Sequence, residues 1–157
     1  MIAIEREAFT AKIFAEILPL GQHCWNDSTV SKEKRCAFYG ERDFQIEPDF
    51  DQYQKVSPSM IIITLRDDGR LCGYLVGFAH RGLHHKKILC GFADSMYVEP
   101  DLRSYAPVMA ERFEKEMREL GVEIIGWPTD PQGPLCQMLI ARGYMADDIV
   151  MEKRLCA

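Results

Sequence analysis

The sequence lacks paired cysteines and long apolar runs. None of its six cysteines forms a Cys-x-x-Cys pair, and Cys72 and Cys90 lie in apolar strand-like runs, where a free thiol behaves as a small hydrophobe. This argues against the disulfide framework of a secreted domain and favours a reducing cytosol. No apolar stretch approaches the roughly 18 residues that span a membrane. No signal peptide is expected, because charged residues already occupy positions 5–7.

The sequence also lacks an excess of positive charge. Its net charge is −5. The segment that comes closest to a basic cluster, His80–Lys87, is short and predicted to be a loop. Nucleic-acid binding needs clustered Lys and Arg to neutralise phosphates, so the charge argues against that partner. With 157 residues, of which 47% are hydrophobic and 27% charged, the chain is expected to fold as one domain spanning residues 1–157.

Helical patterns occupy the N-terminal third. Apolar residues among charges predict an amphipathic helix over Ile4–Leu18, ended by Pro19. A second helix is predicted from about Thr29 to Phe38. The polar stretch Gly40–Pro58 is predicted to be a loop with a helical turn at Phe50–Gln54.

The centre of the chain is predicted to form strands, and helices and strands are predicted to alternate in the C-terminal part. Met60–Leu65, Leu71–Ala79 and Ile88–Val98 predict an antiparallel meander, with a bulge near Gly91. After Pro100, apolar residues at helical spacing predict a helix that ends at Gly121. The remaining predicted elements are a buried strand, a short helix and a terminal strand, at Val122–Trp127, Pro134–Arg142 and Tyr144–Leu155. This order predicts an α+β (mixed α/β) domain built on one sheet.

Three segments carry a resemblance to a known family. They are a strand with a Gly-Tyr pair at Arg70–Phe78, a "V-x-P-x-x-R" strand end at Phe92–Arg103, and a helix followed by a Gly-Tyr ending at Gly133–Tyr144. Together they resemble the GNAT superfamily of acyl-CoA-dependent N-acyltransferases. Shorter matches, including Glu47–Tyr53 and the Leu83-His84 pair, resemble bacteriophage-encoded members.

The resemblance implies a fold and a donor substrate. The fold is a central mixed sheet with helices on both faces, in which two parallel strands, Ser95–Val98 and Ile124–Trp127, splay apart. The pantetheine arm of acetyl-CoA would lie in the gap and pair with the amides of Met96 and Val98. Its pyrophosphate would sit at the following helix N-terminus, where unpaired N–H groups and the helix dipole favour anions. The cofactor-binding residues implied are Met96, Tyr97, Val98, Arg103, Ser104, Tyr105, Ala106 and Val108.

The sequence departs from the family pattern in two regions of chemical importance, the pyrophosphate loop and the last helix. The family motif Q/R-x-x-G-x-G/A reads here as Arg103 followed by Ser-Tyr-Ala-Pro-Val, so Ala106 and Val108 replace the two glycines and Pro107 removes a donor. Weaker pyrophosphate binding is expected. The family's usual general acid, a Tyr on the last helix, is replaced by Leu139.

The candidate catalytic groups lie on the third strand of the meander. Asp94 is the candidate general base, with a solvated residue at a strand bulge as the alternative. The amide of Val98 is the candidate oxyanion donor. His84 and Trp127 are candidates for acceptor binding, with an exposed loop and simple burial as their respective alternatives. No metal site is predicted.

Two functions of different class follow. The first is an acyl-CoA-dependent N-acyltransferase that moves an acetyl group from acetyl-CoA to an amine of a small molecule or protein. The second is a catalytically weakened GNAT-fold protein that binds and modulates a host protein. A cytoplasmic location is expected, in a bacterial host if the chain is phage-encoded. The oligomeric state, monomer or homodimer, stays open.

Overall fold

The computed structural model describes residues 1–26, 46–81, 87–131 and 133–146. The predicted second helix and most of the predicted terminal strand lie outside these residues, and residues 144–146 form no strand. The elements are β1 (Ile2–Glu7), α1 (Ala11–Asn26), α2 (Phe50–Val56), β2 (Met60–Asp67), β3 (Arg70–Arg81), β4 (Leu89–Val98), α3 (Ala106–Glu119), β5 (Ile124–Gly126) and α4 (Pro134–Ala141), with 3₁₀ turns at Ser57–Ser59 and Pro100–Tyr105.

The strands form one mixed sheet in the order β1-β2-β3-β4-β5. The first four strands pair antiparallel, and β5 pairs parallel with β4. This confirms the predicted α+β class and the predicted meander. Among the residues that the structure describes, none of the helices has the length and apolar content needed to cross a bilayer.

The predicted helix over Ile4–Leu18 is wrong in its first half. β1 pairs with β2, placing Ile4 opposite Leu65 and Arg6 opposite Ile63. Ile2 and Ile4 pack on one face of the sheet, and Arg6 reaches Glu116 of α3 at 2.9 Å. Successive side chains of these six residues therefore point to opposite faces of the sheet, as in any strand. The charged residues pair with groups that are close to them only in the folded chain.

α1 begins later and continues further than its sequence pattern predicts. The Oγ1 of Thr10 accepts the Ile13 N–H at 3.2 Å, which satisfies a donor of the first turn. The helix then passes through Pro19 to Asn26. Pro19 and Ala15 are both solvent-exposed, so the Ala15 carbonyl that loses its helical donor lies on the wet side of the helix.

The sheet is covered on both faces. On one face, Ile13 and Leu20 of α1 pack with strand residues that include Ile62, Tyr74 and Tyr97. On the other face α3 packs against residues such as Ile63 and Leu75. The predicted apolar stripe of α3 is confirmed for Met109, Phe113 and Met117, which are fully buried, whereas Leu120 at its end is 45% exposed.

Close packing at one glycine sets the distance between α3 and the sheet. A Cβ built on Gly77 of β3 would lie 2.4 Å from Phe113 Cζ and 2.6 Å from the Phe92 carbonyl oxygen. The absence of a side chain therefore lets the Phe113 ring lie directly on the strand. β5 is less buried than predicted, because Ile124 is 58% exposed.

Candidate functional site

The two parallel strands pair over only a short distance. Cys90–Phe92 of β4 lie opposite Ile124–Gly126 of β5, and the ladder stops there. Ser95–Val98 therefore lies beyond the end of the pairing, rather than directly beside residues 124–127. β4 consequently has an open edge over its last six residues, 93–98, within the described part of the chain.

Two amides face this open edge. The Glu99 N–H donates to the Cys72 carbonyl of β3 at 2.9 Å. Because backbone groups of an antiparallel strand point alternately to either side, the amide of Tyr97 also faces β3. The amides of Met96 and Val98 point the opposite way, into the open edge.

Tyr97 is the exception among the implied pantetheine contacts. Its amide is directed to β3, and its side chain is 8% exposed in the cluster beneath α1. Its amide therefore does not face the open edge, and its role in cofactor binding stays a prediction.

The first helix lies over this edge of β4. The Cys24 thiol of α1 donates to the Met96 carbonyl at 3.4 Å. α1 therefore covers the Met96 carbonyl. The Met96 side chain packs against the core on the α3 face. The edge is therefore bounded by α1 near Met96.

A β-bulge places the candidate base. Val76 lies opposite Ser95 and Gly77 opposite Ala93, so Asp94 is the extra residue on β4. The bulge is predicted near Gly91; its actual position is three residues later, at the candidate catalytic residue itself.

The bulge places Asp94 on the α1 face of the sheet, where its side chain is only partly exposed to solvent. On that face, burial and, to a lesser degree, the Asp94 carboxylate raise the pKa of the Tyr53 and Tyr74 phenols. Partial burial raises the pKa of the Asp94 carboxyl above its ordinary value. No described residue supplies a cation or donor that would lower it.

A buried polar pair stands next to Asp94. The Tyr74 hydroxyl and the Ser95 Oγ lie 2.8 Å apart, and Tyr74 is 3% exposed. Burial is the main cause that raises the pKa of the Tyr74 phenol, so this group stays protonated at neutral pH. Sequence reasoning missed Tyr53, Tyr74 and Ser95. Strand alternation links Tyr74 with Ser95 only once the bulge is known.

The chain after β4 enters α3 without an open loop. Pro100–Tyr105 forms a 3₁₀ turn that runs directly into Ala106, whose N–H donates to the Arg103 carbonyl. Pro107 lies in the first turn of α3 and has no N–H to offer. Of the backbone positions that would face a pyrophosphate, Ala106 therefore has its N–H already bonded and Pro107 has none.

The side chains of this turn are accessible. Arg103 and Ser104 are exposed, and Val108 is 48% exposed. Tyr105 and Ala106 pack partly against the core. The turn is held at its start by Glu99, which accepts two hydrogen bonds from Arg70 at 2.6 and 2.8 Å. Arg103 is thus the exposed cation of this segment.

The acceptor candidates and the missing acid are placed as follows. Trp127 packs edge-on against Phe113 at 5.6 Å and against Tyr144 at 6.2 Å, on the α3 face. Asp94 lies on the opposite, α1 face of the sheet, and an acceptor-binding role for Trp127 stays a prediction. His84 lies outside the described residues. Leu139 is 3% exposed and belongs to the interior.

A cleft of about 260 Å³ lies elsewhere, between α3, β5 and the turn after α4. Its wall includes Glu114, which accepts hydrogen bonds from Arg142 and from the Tyr144 hydroxyl. The cleft is next to Ile125 and Val122, at the paired end of β4 and β5. It is therefore separate from the open edge, and two of its charged groups, Glu114 and Arg142, bond each other.

Similar folds occur among solved acetyltransferase structures. One is an aminoglycoside acetyltransferase from an uncultured soil metagenomic sample, with a TM-score of 0.69, 13% identity, and coverage of 99% of this chain and 96% of that one. A ribosomal-protein-alanine N-acetyltransferase from Brucella melitensis has a TM-score of 0.63, 14% identity and complete coverage of both chains. A predicted acetyltransferase from Clostridium acetobutylicum, solved with acetyl-CoA, has a TM-score of 0.66, 14% identity, and coverage of 99% and 97%.

No protein-family model and no curated protein sequence matches the chain. At identities of 10–14% the structural likeness establishes the fold, which is that of the GNAT acetyltransferases.

Proposed function

We propose that the protein is an acyl-CoA-dependent N-acyltransferase, one domain over residues 1–157, that transfers an acetyl group from acetyl-CoA to an amine. The observation that carries this is the open edge of β4, where the ladder to β5 stops and two amides point outward. The fold supports it, because solved structures of this fold are acetyltransferases. An extended arm bearing amide groups can pair with such an edge as an added strand.

The open edge fits the donor in its chemistry. Met96 and Val98 each offer an N–H on the same side of β4, two residues apart, which is the spacing of donors along one strand edge. The Val98 amide would also be the donor to the developing oxyanion. It is fixed by its strand, so no reorganisation is needed when negative charge appears on the acyl oxygen.

Asp94 is proposed to take a proton from the ammonium group of the acceptor, which leaves a neutral amine to attack the acyl carbon. A carboxylate whose pKa is raised is a better base than an ordinary one, and Asp94 has no cation partner among the described residues to lower its pKa. The leaving thiolate would receive its proton from water, since Leu139 is buried and carries no proton to give. CoA thiolate is a fair leaving group without such help, so slow turnover is the expected cost.

The pyrophosphate is proposed to bind at the turn before α3, through Arg103 and the remaining donors of Ser104, Tyr105 and Val108. With the Ala106 N–H already donated and Pro107 lacking one, affinity depends mainly on Arg103. Acceptor contacts at His84 remain part of this proposal.

The second candidate is a GNAT-fold protein that has reduced its catalysis and binds and modulates a host protein. The observation that favours it is the same turn, where the 3₁₀ segment replaces a glycine loop and leaves few donors for phosphate. The two candidates differ in one measurable property, which is acetyl-CoA binding.

Calorimetry with the purified full chain and acetyl-CoA tests the choice. We expect weak binding in the wild type and tighter binding in the Ala106→Gly/Pro107→Gly double variant, which regains one donor and a close backbone approach. Desulfo-CoA serves as a control for binding without acyl chemistry. No binding at millimolar acetyl-CoA in the wild type, with binding gained in the double variant, would favour the docking candidate.

A further inference from the structure

An aromatic surface adjoins the candidate base on the α1 face. The rings of Phe9, Phe14, Phe50 and Tyr53, here called the aromatic cluster, come from the β1–α1 connection, α1 and α2. Phe50 lies 5.3 Å from both Phe9 and Phe14, and Tyr53 lies 5.8 Å from Phe14, between ring centroids. None of the four is fully buried, so the cluster keeps part of its apolar surface in contact with solvent.

Tyr53 connects this cluster to Asp94. Its side chain packs against the buried group that contains Tyr74 and Val76. Val76 lies opposite Ser95, the neighbour of Asp94 at the bulge. Burial first, and the Asp94 carboxylate second, raise the pKa of the Tyr53 phenol. Asp94, which has no cation partner among the described residues, therefore lies on the same face of the sheet as the aromatic cluster.

We propose that this surface binds the acceptor, and that the acceptor is a small primary amine carried on an apolar, arylalkyl-type group. Asp94 pairs with the ammonium, the Tyr53 ring lies beside it, and the remaining rings pack against the apolar part. Aromatic rings attract cations through their electron-rich faces, and a carboxylate supplies the opposite charge. The identification of this ligand as the acceptor rests on the proposed function; its binding does not.

The same surface argues against a polyhydroxylated amine. Three of the four rings are phenylalanines and offer no hydrogen-bonding group, so sugar hydroxyls placed on them would lose water without gaining a partner. A hydrocarbon group placed there loses only unfavourable contact with water. The aromatic cluster therefore favours a ligand in which the group beyond the amine is apolar.

The test is direct binding to the full chain in the absence of acetyl-CoA, by calorimetry. The probes are phenethylamine, the neutral 2-phenylethanol and glucosamine. We expect phenethylamine to bind at least about 10-fold more tightly than either of the others, since a hydrogen bond to a charged group is lost in the alcohol. This comparison uses the wild-type protein and needs no variant to fold.

Variants assign the two halves of the site. Asp94→Asn should reduce the affinity for phenethylamine to that for 2-phenylethanol, whereas Asp51→Asn, an exposed carboxylate on α2, should leave both unchanged. Tyr53→Leu should weaken both aromatic probes together. Equal affinity of the wild type for phenethylamine and 2-phenylethanol would overturn the role of Asp94, and preference for glucosamine would overturn the apolar class.

The outcomes separate this inference from the proposed function. If acetyl-CoA binds but the three probes are not distinguished, the acyltransferase proposal stands and the acceptor assignment fails. If phenethylamine is preferred while acetyl-CoA does not bind, the amine site stands and the acyltransferase proposal fails.

Discussion

Replacing Asp94 by Asn separates catalysis from stability. The carboxylate is the extra residue of a bulge, it has no cation partner among the described residues, and partial burial raises its pKa. Asn keeps nearly the same shape and removes the charge. We expect acetyl transfer to fall by about 100-fold or more, the usual contribution of a positioned base, while acetyl-CoA binding is unchanged.

The same variant should not lose stability at neutral pH. Because the pKa of Asp94 is raised in the folded state, the folded protein binds more protons than the unfolded chain between the ordinary and raised values. Wild-type stability therefore falls as pH rises through that window and stays lower above it. The Asn variant has no such loss, so its advantage should be near zero below about pH 4 and positive at neutral pH.

Thermal unfolding of both proteins between about pH 4 and 8, with an acetyl-transfer assay at neutral pH, measures both effects. Ser95→Ala, which removes the Tyr74 partner but leaves the carboxylate, controls for disturbance of the bulge. A clear drop in Tm of the Asn variant at neutral pH would refute the reasoning, because it would mean that the charged form is stabilised by a partner. Unchanged turnover would reassign the base.

Three further perturbations test the fold and the donor site. Gly77→Ala places a methyl 2.4 Å from Phe113, and denaturant unfolding should show a loss of about 1–3 kcal/mol or more; wild-type stability would mean that the ring shifts freely. Arg103→Ala should cost about 1.5–3 kcal/mol of acetyl-CoA binding by calorimetry, and an unchanged Kd would remove it from the site. Glu116→Gln removes the charge that Arg6 bonds at 2.9 Å. The bonds from Arg6 and Arg112 lower the pKa of Glu116 despite burial, so their stabilising contribution is present at neutral pH and lost as pH falls. The difference in Tm from wild type should therefore shrink in acid.

Local pattern predicted the elements whose signal is contained in a short stretch of chain. The 3.6-residue spacing of Met109, Phe113 and Met117 marked the core face of α3, because a helix places such residues on one side. The strand-like segments Met60–Leu65, Leu71–Ala79 and Ile88–Val98 marked the meander. The "V-x-P-x-x-R" strand end pointed to the strand that carries Asp94 and the two edge amides.

Tertiary contacts decided the rest. Residues 2–7 alternate apolar and charged side chains weakly, and they form a strand because β2 supplies a ladder and Glu116 and Arg66 supply counter-charges. The position of the bulge could not be predicted from the strand sequence, since only the pairing of β4 with β3 shows which residue is extra.

The candidate site itself is a product of register. Sequence alone determined that Asp94, Met96 and Val98 lie on one strand, because strand propensity is local. Which amides face β3, which face the open edge, and which side of the sheet receives the carboxylate depend on the ladders that neighbouring strands form. Those ladders join residues far apart in the chain, so the backbone donors and the base acquire their directions only when the sheet is assembled.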